Sequence, residues 1–258
     1  MPTGSGSHVH AETDGAVTTI TLNRPEARNA YSDEMITQLI AAFDEAARDS
    51  SVRSVILTGS GKGFHAGGDI KAMKDRAGMF AGDPAELRER YIDGIQAVPR
   101  RLATFRKPVI CAMHGAAIGA GLDLACMCDL RVATRSAKMG STFVQVGLVP
   151  GDGGAFFLAR TVGFPKALEL MLRGRVIDAE EALRIGLIHE VVNDDALLDR
   201  ALELANEIAA LPPTAVQMTK RAAYESWNGE VHRALELAAT YQGIAQNHDD
   251  HRQRLQSP

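Results

Sequence analysis

The sequence predicts an α/β protein: a core in which short strands alternate with helices, followed by a C-terminal region of helices only. Two observations predict this class. Up to about residue 160, buried apolar stretches that lead into glycine-rich loops, such as 52–60 and 107–113, recur between segments of helical period. Beyond that point we find no further strands, and the patterns are helical in 166–174, 178–186, 195–211 and 214–226. This order favours a mixed core with a helical tail.

Turn and cap residues define the first elements. The stretch "AVTTITLNRP" alternates apolar and polar residues after an Asp14-Gly15 turn signal, which predicts a strand closed by the proline. Ser32 precedes a segment of helical period that carries acidic residues in its first turn, which predicts a capped helix. The start of the chain contains glycine and serine and has no signal-peptide pattern, so we expect residues 1–12 to be a flexible lead-in.

The middle of the chain repeats the alternation of strand and helix. Residues 84–104 have a helical pattern, and "KPVICAM" reads as a buried strand. A glycine-rich turn that enters a helix follows in "GAAIGAGLDLACM", and "DLRVAT" predicts another strand. Polar and small residues in "RAGMFAGDP" indicate a loop.

Composition excludes several classes of function. The 258 residues carry a net charge of −4 and only 5% aromatic residues, which argues against a nucleic-acid-binding surface. No apolar run approaches the ~18 residues that a membrane span needs. The three cysteines, Cys111, Cys126 and Cys128, lack the spacing of a disulfide framework or a metal site. We expect reduced, buried thiols in a cytosolic protein that holds no metal.

A dinucleotide-binding fold is a poor explanation of the glycines. "GAAIGAG" follows a buried strand, as the phosphate-binding turn of such folds does, but it begins at residue 115 rather than after the first strand. No acidic residue follows about 20 positions later to hold a ribose, and no tyrosine is followed four positions later by a lysine.

Four motifs occur in an order that is known from one superfamily. They are "LNRPEARNA", "GKGFHAGGDIKAM", "KPVICAMHGAAIGAGLDLACMCDLRVA" and "GLVPGDGGAFFLARTVG". From about residue 13 to the C-terminus the chain resembles the enoyl-CoA hydratases and isomerases of the crotonase superfamily. The resemblance implies a spiral of ββα units over 13–195, a helical trimerisation region over 196–258, and a homotrimer or a dimer of trimers.

The resemblance also implies an acyl-CoA thioester as substrate, with no cofactor besides the CoA that it carries. The thioester oxygen would lie in an oxyanion hole made by the backbone N–H groups of Gly68 and Ala120. Proton removal next to a thioester, or addition of water to a conjugated double bond, places negative charge on that oxygen, and two preorganised donors stabilise it. The alternative for these two small residues is tight-turn packing.

Further substrate contacts follow from the same resemblance. The stretch that ends at Lys71 would line the CoA portion, and Lys71 would either meet a phosphate or be solvated. The residues predicted to contact substrate or CoA are His65, Ala66, Asp69, Ile70, Lys71 and Phe143. His65 is open to two interpretations: it contacts substrate or water, or it is a hydrogen-bonding spacer in the loop.

The acidic residues depart from the hydratase pattern. Hydratases of this family use two glutamates 20 positions apart; here the first position is Asp123, which is one methylene shorter, and the second is Phe143. Asp152 lies nearby in the chain, in "GLVPGDGGAFF", where it is either the N-cap of the next helix or a working acid/base. Some isomerases and dehalogenases of the superfamily carry their aspartate in this loop, and the surrounding apolar residues would raise its pKa.

The sequence therefore predicts an enoyl-CoA hydratase or isomerase with Asp152 and Asp123 as proton carriers. A single carboxylate in a good position supports a double-bond shift more readily than hydration. Two alternatives remain. One is a dehalogenase-like enzyme with Asp152 as nucleophile, and the other is an inactive scaffold that binds CoA esters.

Overall fold

The architecture combines two sheets with many helices. The computed structural model describes residues 6–227 and 229–256. The strands are β1 Val9–Asp14, β2 Val17–Leu22, β3 Ser54–Gly59, β4 Val109–Met113, β5 Ala116–Ile118, β6 Leu130–Thr134, β7 Lys138–Gly140, β8 Val176–Asp178 and β9 Glu190–Val192. The helices are α1 Asp33–Arg48, α2 Ile70–Lys74, α3 Pro84–Asp93, α4 Ala97–Ala103, α5 Ala120–Cys126, α6 Gly154–Val162, α7 Phe164–Arg173, α8 Ala179–Arg184, α9 Leu197–Ala209, α10 Pro213–Ser226, α11 Val231–Asn247 and α12 Asp249–Gln256.

The larger sheet has six strands in the order β1-β2-β3-β4-β6-β9. Strands β1 and β2 form an antiparallel hairpin, and the remaining neighbours are parallel. The smaller sheet has the order β5-β7-β8 and is parallel except at its β7–β8 pair. Because the turn between β4 and β5 is short, the polypeptide passes directly from the large sheet to the small one.

Two sequence expectations need correction here. The strands do not end near residue 160, because β8 and β9 lie beyond it. Both have only three residues, too few for alternation to be recognised in the sequence, and pairing with β7 and β6 defines them. The lead-in also ends earlier than residue 12, because β1 begins at Val9 and pairs with β2 along its whole length. Residues 1–5 lie outside the described residues.

The helix predicted after Ser32 is confirmed as α1. The Ser32 hydroxyl accepts a hydrogen bond from the Met35 N–H at 3.1 Å, which satisfies one of the free donors at the helix start. The apolar stripe of α1, with Leu39 and Phe43 buried, packs into the main hydrophobic core. The helical pattern predicted over 84–104 is broken at Gly94, which separates α3 from α4.

The large sheet is covered on both faces. A second apolar cluster joins Ile56, Ile110 and Val132 of the sheet to Ala201 and Ala205 of α9. The main core lies on the opposite face and contains the three cysteines, which are buried and carry free thiols as predicted. Helix α5, which leaves the small sheet, is buried along its entire length.

Helices α10, α11 and α12 form the last region and contain no fully buried residue among those described. Helix α10 is anchored to the core through Asp129, which accepts hydrogen bonds from Lys220 Nζ at 2.6 Å and from the Tyr224 hydroxyl at 2.9 Å. Large apolar side chains of this region stay exposed, among them Trp227 and Val231. Within the described ranges, no helix is both long and apolar enough to cross a membrane.

Candidate active site

Four loops and helix α3 enclose a cavity of about 230 Å³. It brings together six of the ten predicted site residues: Ala66, Gly68, Ile70, Ala120, Phe143 and Asp152. These come from the loop after β3, the start of α2, the start of α5, the segment after β7 and the loop before α6. Four larger cavities, of about 320, 280, 450 and 250 Å³, are lined by none of the predicted site residues.

Two backbone amides face this cavity without a partner. In the described part of the chain, the N–H groups of Gly68 and Ala120 donate no hydrogen bond to a protein acceptor. Ala120 is the first residue of α5, where helical geometry leaves the N–H groups free. Gly67 joins the two segments, because a Cβ atom there would lie 2.7 Å from the Ile118 carbonyl oxygen and 3.3 Å from the Ala120 nitrogen. Glycine at 67, with φ of 91°, is therefore required for the close approach of the two amides.

The methyl group of Met73 lies against Gly68. A Cβ atom at Gly68 would lie 2.3 Å from Met73 Cε. A methionine side chain is flexible and moves at small cost, so a ligand that reaches Gly68 can displace it.

Two carboxyl groups are buried side by side next to the cavity. Asp123 is 0% exposed and Asp152 is 2% exposed. Among the described residues, no donor outside this aspartate pair reaches an oxygen of either carboxyl. Asp123 lies on α5 behind the cavity wall, with its carboxyl directly over Gly154 at the start of α6. Asp152 lines the cavity itself.

Burial raises the pKa of both carboxyls. The pKa of Asp123 is raised well above its usual range by burial first and by the charge of Asp152 second. Burial also raises the pKa of Asp152, while the Asp123 carboxyl and the backbone N–H of Asp152 oppose that rise. The two carboxyls titrate as a coupled pair, with apparent pKa values that belong to the pair rather than to either residue.

The capping interpretation of Asp152 is wrong. The N-cap of α6 is Gly153, which has φ of 103°, and no side chain of the described residues caps this helix. A carboxylate that served only the helix would accept a hydrogen bond from a first-turn N–H. The Asp152 carboxyl accepts no such bond from the described residues of the helix and instead lines the cavity. No hydrogen bond with the helix therefore offsets the cost of burying it.

Three predicted contact residues lie away from the cavity. His65 is fully buried behind the loop, where its Nδ1 accepts a hydrogen bond from the Gly67 N–H at 2.8 Å. Asp69 caps α2, because its Oδ1 accepts from the N–H groups of Lys71 and Ala72, and its Oδ2 pairs with Arg24 at 2.9 Å. Lys71 is exposed on α2.

Sequence reasoning missed the contribution of α3 and the segment before it. Tyr91 and Phe80 line the cavity, and Tyr91 packs against Gly151, the residue before Asp152. Burial, and then the charge of Asp152, raises the pKa of the Tyr91 phenol. No sequence signal identifies these residues, because a helical pattern alone does not show which side chain faces a distant loop.

Replacing Asp123 with asparagine should stabilise the protein at alkaline pH. The carboxyl has a usual pKa of 3.8, and its raised pKa in the folded state makes the folded protein hold a proton that the unfolded chain releases. Stability from this group is thus complete below pH 3.8 and is lost as pH rises through the folded-state pKa, by about 1.4 kcal/mol for each pKa unit.

The measurement is the difference in Tm between Asp123→Asn and the unmodified protein from pH 4 to pH 9. We expect it to grow with pH by several degrees. Asp93→Asn, at an exposed position, is the control and should give a difference near zero throughout. A constant difference for Asp123→Asn across this range would show that its pKa is not raised.

Known proteins resemble this chain over nearly all its length. The family model for enoyl-CoA hydratase/isomerase matches residues 12–257. A 1,2-epoxyphenylacetyl-CoA isomerase from Escherichia coli is 38% identical, covering 96% of this chain and 92% of that protein. A short-chain-enoyl-CoA hydratase from Clostridium acetobutylicum is 39% identical, covering 89% of this chain and 85% of that protein.

Solved structures share the fold. The crystal structure of an enoyl-CoA hydratase from Bacillus anthracis superimposes with a TM-score of 0.90 at 30% identity, covering 97% of this chain and 95% of that one. The α/β fold of crotonase type that the motifs predicted is confirmed by this match. With matches of this length in sequence and structure, the chain belongs to the enoyl-CoA hydratase/isomerase family of the crotonase superfamily.

Proposed function

We propose that this enzyme binds an acyl-CoA thioester with its carbonyl oxygen between the Gly68 and Ala120 amides and uses Asp152 to move a proton on the acyl chain. One observation carries the proposal: within the described residues, a buried carboxyl that no donor outside the aspartate pair reaches and two backbone amides without an acceptor line the same cavity. Protein interiors rarely leave such groups unsatisfied, and the polar atoms of a bound substrate would supply partners for them.

The two amides stabilise the enolate that forms when a proton leaves the carbon next to the thioester. Removing one donor of this kind raises a reaction barrier by about 2.7–4 kcal/mol in measured cases. The donors belong to rigid backbone, so they need no reorganisation during the reaction. Proton transfer of this type requires neither a metal nor a redox group, and CoA arrives as part of the substrate.

Asp152 and Asp123 have different roles in the proposed reaction. Asp152 faces the cavity and, in its ionised form, accepts a proton from the substrate. Asp123 lies behind it, keeps its proton and limits the negative charge in the buried site. The raised pKa of Asp152 strengthens it as a base and suits a group that must return the proton.

This arrangement favours isomerisation of a double bond over hydration. In a 3-enoyl thioester, Asp152 takes a proton from C2, the electrons pass to the thioester oxygen, and return of the proton at C4 gives the 2-enoyl thioester. A single base at the cavity suffices for this shuttle. Hydration also requires a group that orients water, and Asp123 does not line the cavity.

Hydration is the second candidate, because a relative 39% identical is a short-chain-enoyl-CoA hydratase. In that reaction the carboxyl pair would activate a water molecule for attack on C3. Asp123 would then act through Asp152 or through a small shift of the substrate.

Mass spectrometry in deuterated water separates these reactions. The enzyme is incubated with a short trans-2-enoyl-CoA and, separately, with a 3-enoyl-CoA. A moved double bond with deuterium uptake and no added water supports the isomerase, and gain of one water by the 2-enoyl ester supports the hydratase. Unchanged esters that nevertheless bind would contradict both and favour the scaffold that only binds CoA esters. Loss of halide from a haloaryl-CoA would favour the dehalogenase-like alternative.

We also propose a homotrimer or a dimer of trimers. The apolar side chains Trp227, Val231, Leu235 and Leu255 of the last three helices are each more than 60% exposed, and a second copy would cover them. Light scattering coupled to size exclusion measures the mass directly; a chain mass of 27.7 kDa would contradict this assembly.

A further inference from the structure

We propose that His65 is a positioning residue that holds both amide donors, Gly68 and Ala120, in register. The inference deepens the proposed function and rests on it. His65 lies where the loop after β3 meets the strand that leads into α5, and it contacts both segments through different atoms.

The side chain of His65 fixes the orientation of the first donor, the Gly68 N–H. Its Nδ1 accepts the Gly67 N–H at 2.8 Å, and this bond sets the peptide plane that precedes Gly67. The turn at Gly67, with φ of 91°, then determines the direction of the next N–H, which belongs to Gly68. A loop without this side-chain acceptor would leave the Gly67 N–H buried and free to rotate toward another partner.

The backbone of His65 fixes the position of the second donor, the Ala120 N–H. Its N–H donates to the Ala116 carbonyl at 2.9 Å, and its carbonyl accepts from the Ile118 N–H at 3.0 Å. The first turn of α5 rests on the same carbonyl, because a Cβ atom at Gly121 would lie 2.1 Å from the His65 oxygen. The residue before Gly121 is Ala120, so the start of α5 takes its position from His65.

The ring is held in one orientation and one charge state. It packs edge-on against Tyr31, with ring centroids 4.3 Å apart. Burial lowers the pKa of His65 to about 3, so the ring is neutral near pH 7 and Nδ1 stays an acceptor. In the described part of the chain Nε2 has no hydrogen-bond partner, which leaves the bond to Gly67 as the one polar side-chain contact of the ring.

The test compares two replacements of similar shape. His65→Asn keeps an acceptor near the position of Nδ1, whereas His65→Leu removes it and leaves every backbone hydrogen bond of residue 65 possible. The probe is butanoyl-CoA labelled with ¹³C at the thioester carbon, and the readout is the infrared carbonyl band of the bound ester. Donors that polarise the carbonyl lower the frequency of this band.

In the unmodified protein we expect the band at lower frequency than in water. His65→Leu should return it toward the frequency in water, and His65→Asn should keep most of the shift. On the substrate that the enzyme converts, kcat of His65→Leu should fall by about 10- to 100-fold with KM changed much less, because displacement of a donor by about 1 Å has costs of this order.

The outcomes are distinguishable. An unshifted band in the unmodified protein would overturn the proposed oxyanion site itself. A shifted band that His65→Leu leaves in place would overturn only the role of His65, as would equal losses in the asparagine and leucine variants. If His65→Leu does not fold, His65→Gln takes its place in the test, because glutamine puts its oxygen near the position of Nε2 rather than Nδ1. A carbonyl band in His65→Gln equal to that in His65→Asn would then contradict the proposal.

Discussion

Asp152→Asn is expected to reduce kcat by about 10²- to 10⁴-fold, the range that general acid–base groups contribute. Asparagine has nearly the same shape and cannot accept a proton at any working pH. We expect the cavity and its two amides to be unchanged by the replacement, because no donor outside the aspartate pair reaches the Asp152 carboxyl within the described chain. Binding of the thioester should therefore survive while turnover is lost.

Single-turnover kinetics and equilibrium binding of butanoyl-CoA measure these two quantities separately. Asp93→Asn on α3, at an exposed position, is the matched control and should retain full activity. The kcat of Asp123→Asn should lie between those of Asp152→Asn and Asp93→Asn, because Asp123→Asn retains the base at the cavity and removes only the neighbouring proton donor. Unchanged turnover in Asp152→Asn would contradict the proposed chemistry and favour a protein that binds CoA esters without converting them.

The pH dependence of kcat gives a second measure of the same carboxyl. Because Asp152 must be ionised to act as a base, activity should rise with pH through a pKa above the usual aspartate range. In Asp123→Asn the two-step titration of a coupled pair should become a single step.

Motif order was sufficient to predict the fold class, and six of the residues that the family resemblance named line one cavity. The family resemblance assigned Gly68 and Ala120 by their positions in two glycine-rich loops, and both residues line that cavity. The strands β8 and β9 were missed because three residues carry no periodicity of their own. Tertiary pairing created them, and no local pattern contains that information.

Side-chain roles were harder to predict than positions. Asp152 and Asp69 both precede helical segments, and both fit the sequence pattern of an N-cap. Only Asp69 caps its helix, because Gly153 takes the capping position before α6. The difference of one residue in the start of a short helix decides between a structural and a reactive carboxyl, and propensities do not resolve boundaries this finely.

Two buried groups give stability opposite dependences on pH. The lowered pKa of His65, about 3 against a usual 6.5, destabilises the folded state as pH falls through this interval. The raised pKa values of the aspartate pair destabilise it as pH rises. The site therefore costs stability at both ends of the range, which is the expected consequence of burying ionisable groups without permanent partners.

Gly154→Ala is the second replacement with a large expected effect. A Cβ atom at this position would lie 2.1 Å from Asp123 Oδ2, 2.2 Å from Oδ1 and 2.3 Å from Cγ. All three distances are far below van der Waals contact, so the Asp123 carboxyl must leave its place beside Asp152. We expect a loss of about 1–3 kcal/mol in the free energy of unfolding, the usual cost of overpacking a core. Turnover should fall on the order of 100-fold if the placement of the pair matters.

The matched control for this substitution is Gly243→Ala on α11, where a Cβ atom would have no neighbour within 4 Å. Alanine is a better helix former than glycine, so this variant should gain up to about 1 kcal/mol and keep its activity. Gly154 also lies in a helix, at the first position of α6, and propensity alone would predict the same gain there. A loss of unfolding free energy in Gly154→Ala together with a gain in Gly243→Ala would assign the loss to the contact with Asp123.

A double replacement tests that assignment directly. Combining Gly154→Ala with Asp123→Ser removes the carboxyl that the new methyl group contacts, so the unfolding free energy should recover by more than the sum of the single effects predicts. Activity should not recover, because the carboxyl that accompanies Asp152 is then missing. Recovery of both quantities would mean that the loss in Gly154→Ala arose from packing alone and that Asp123 has no part in proton transfer.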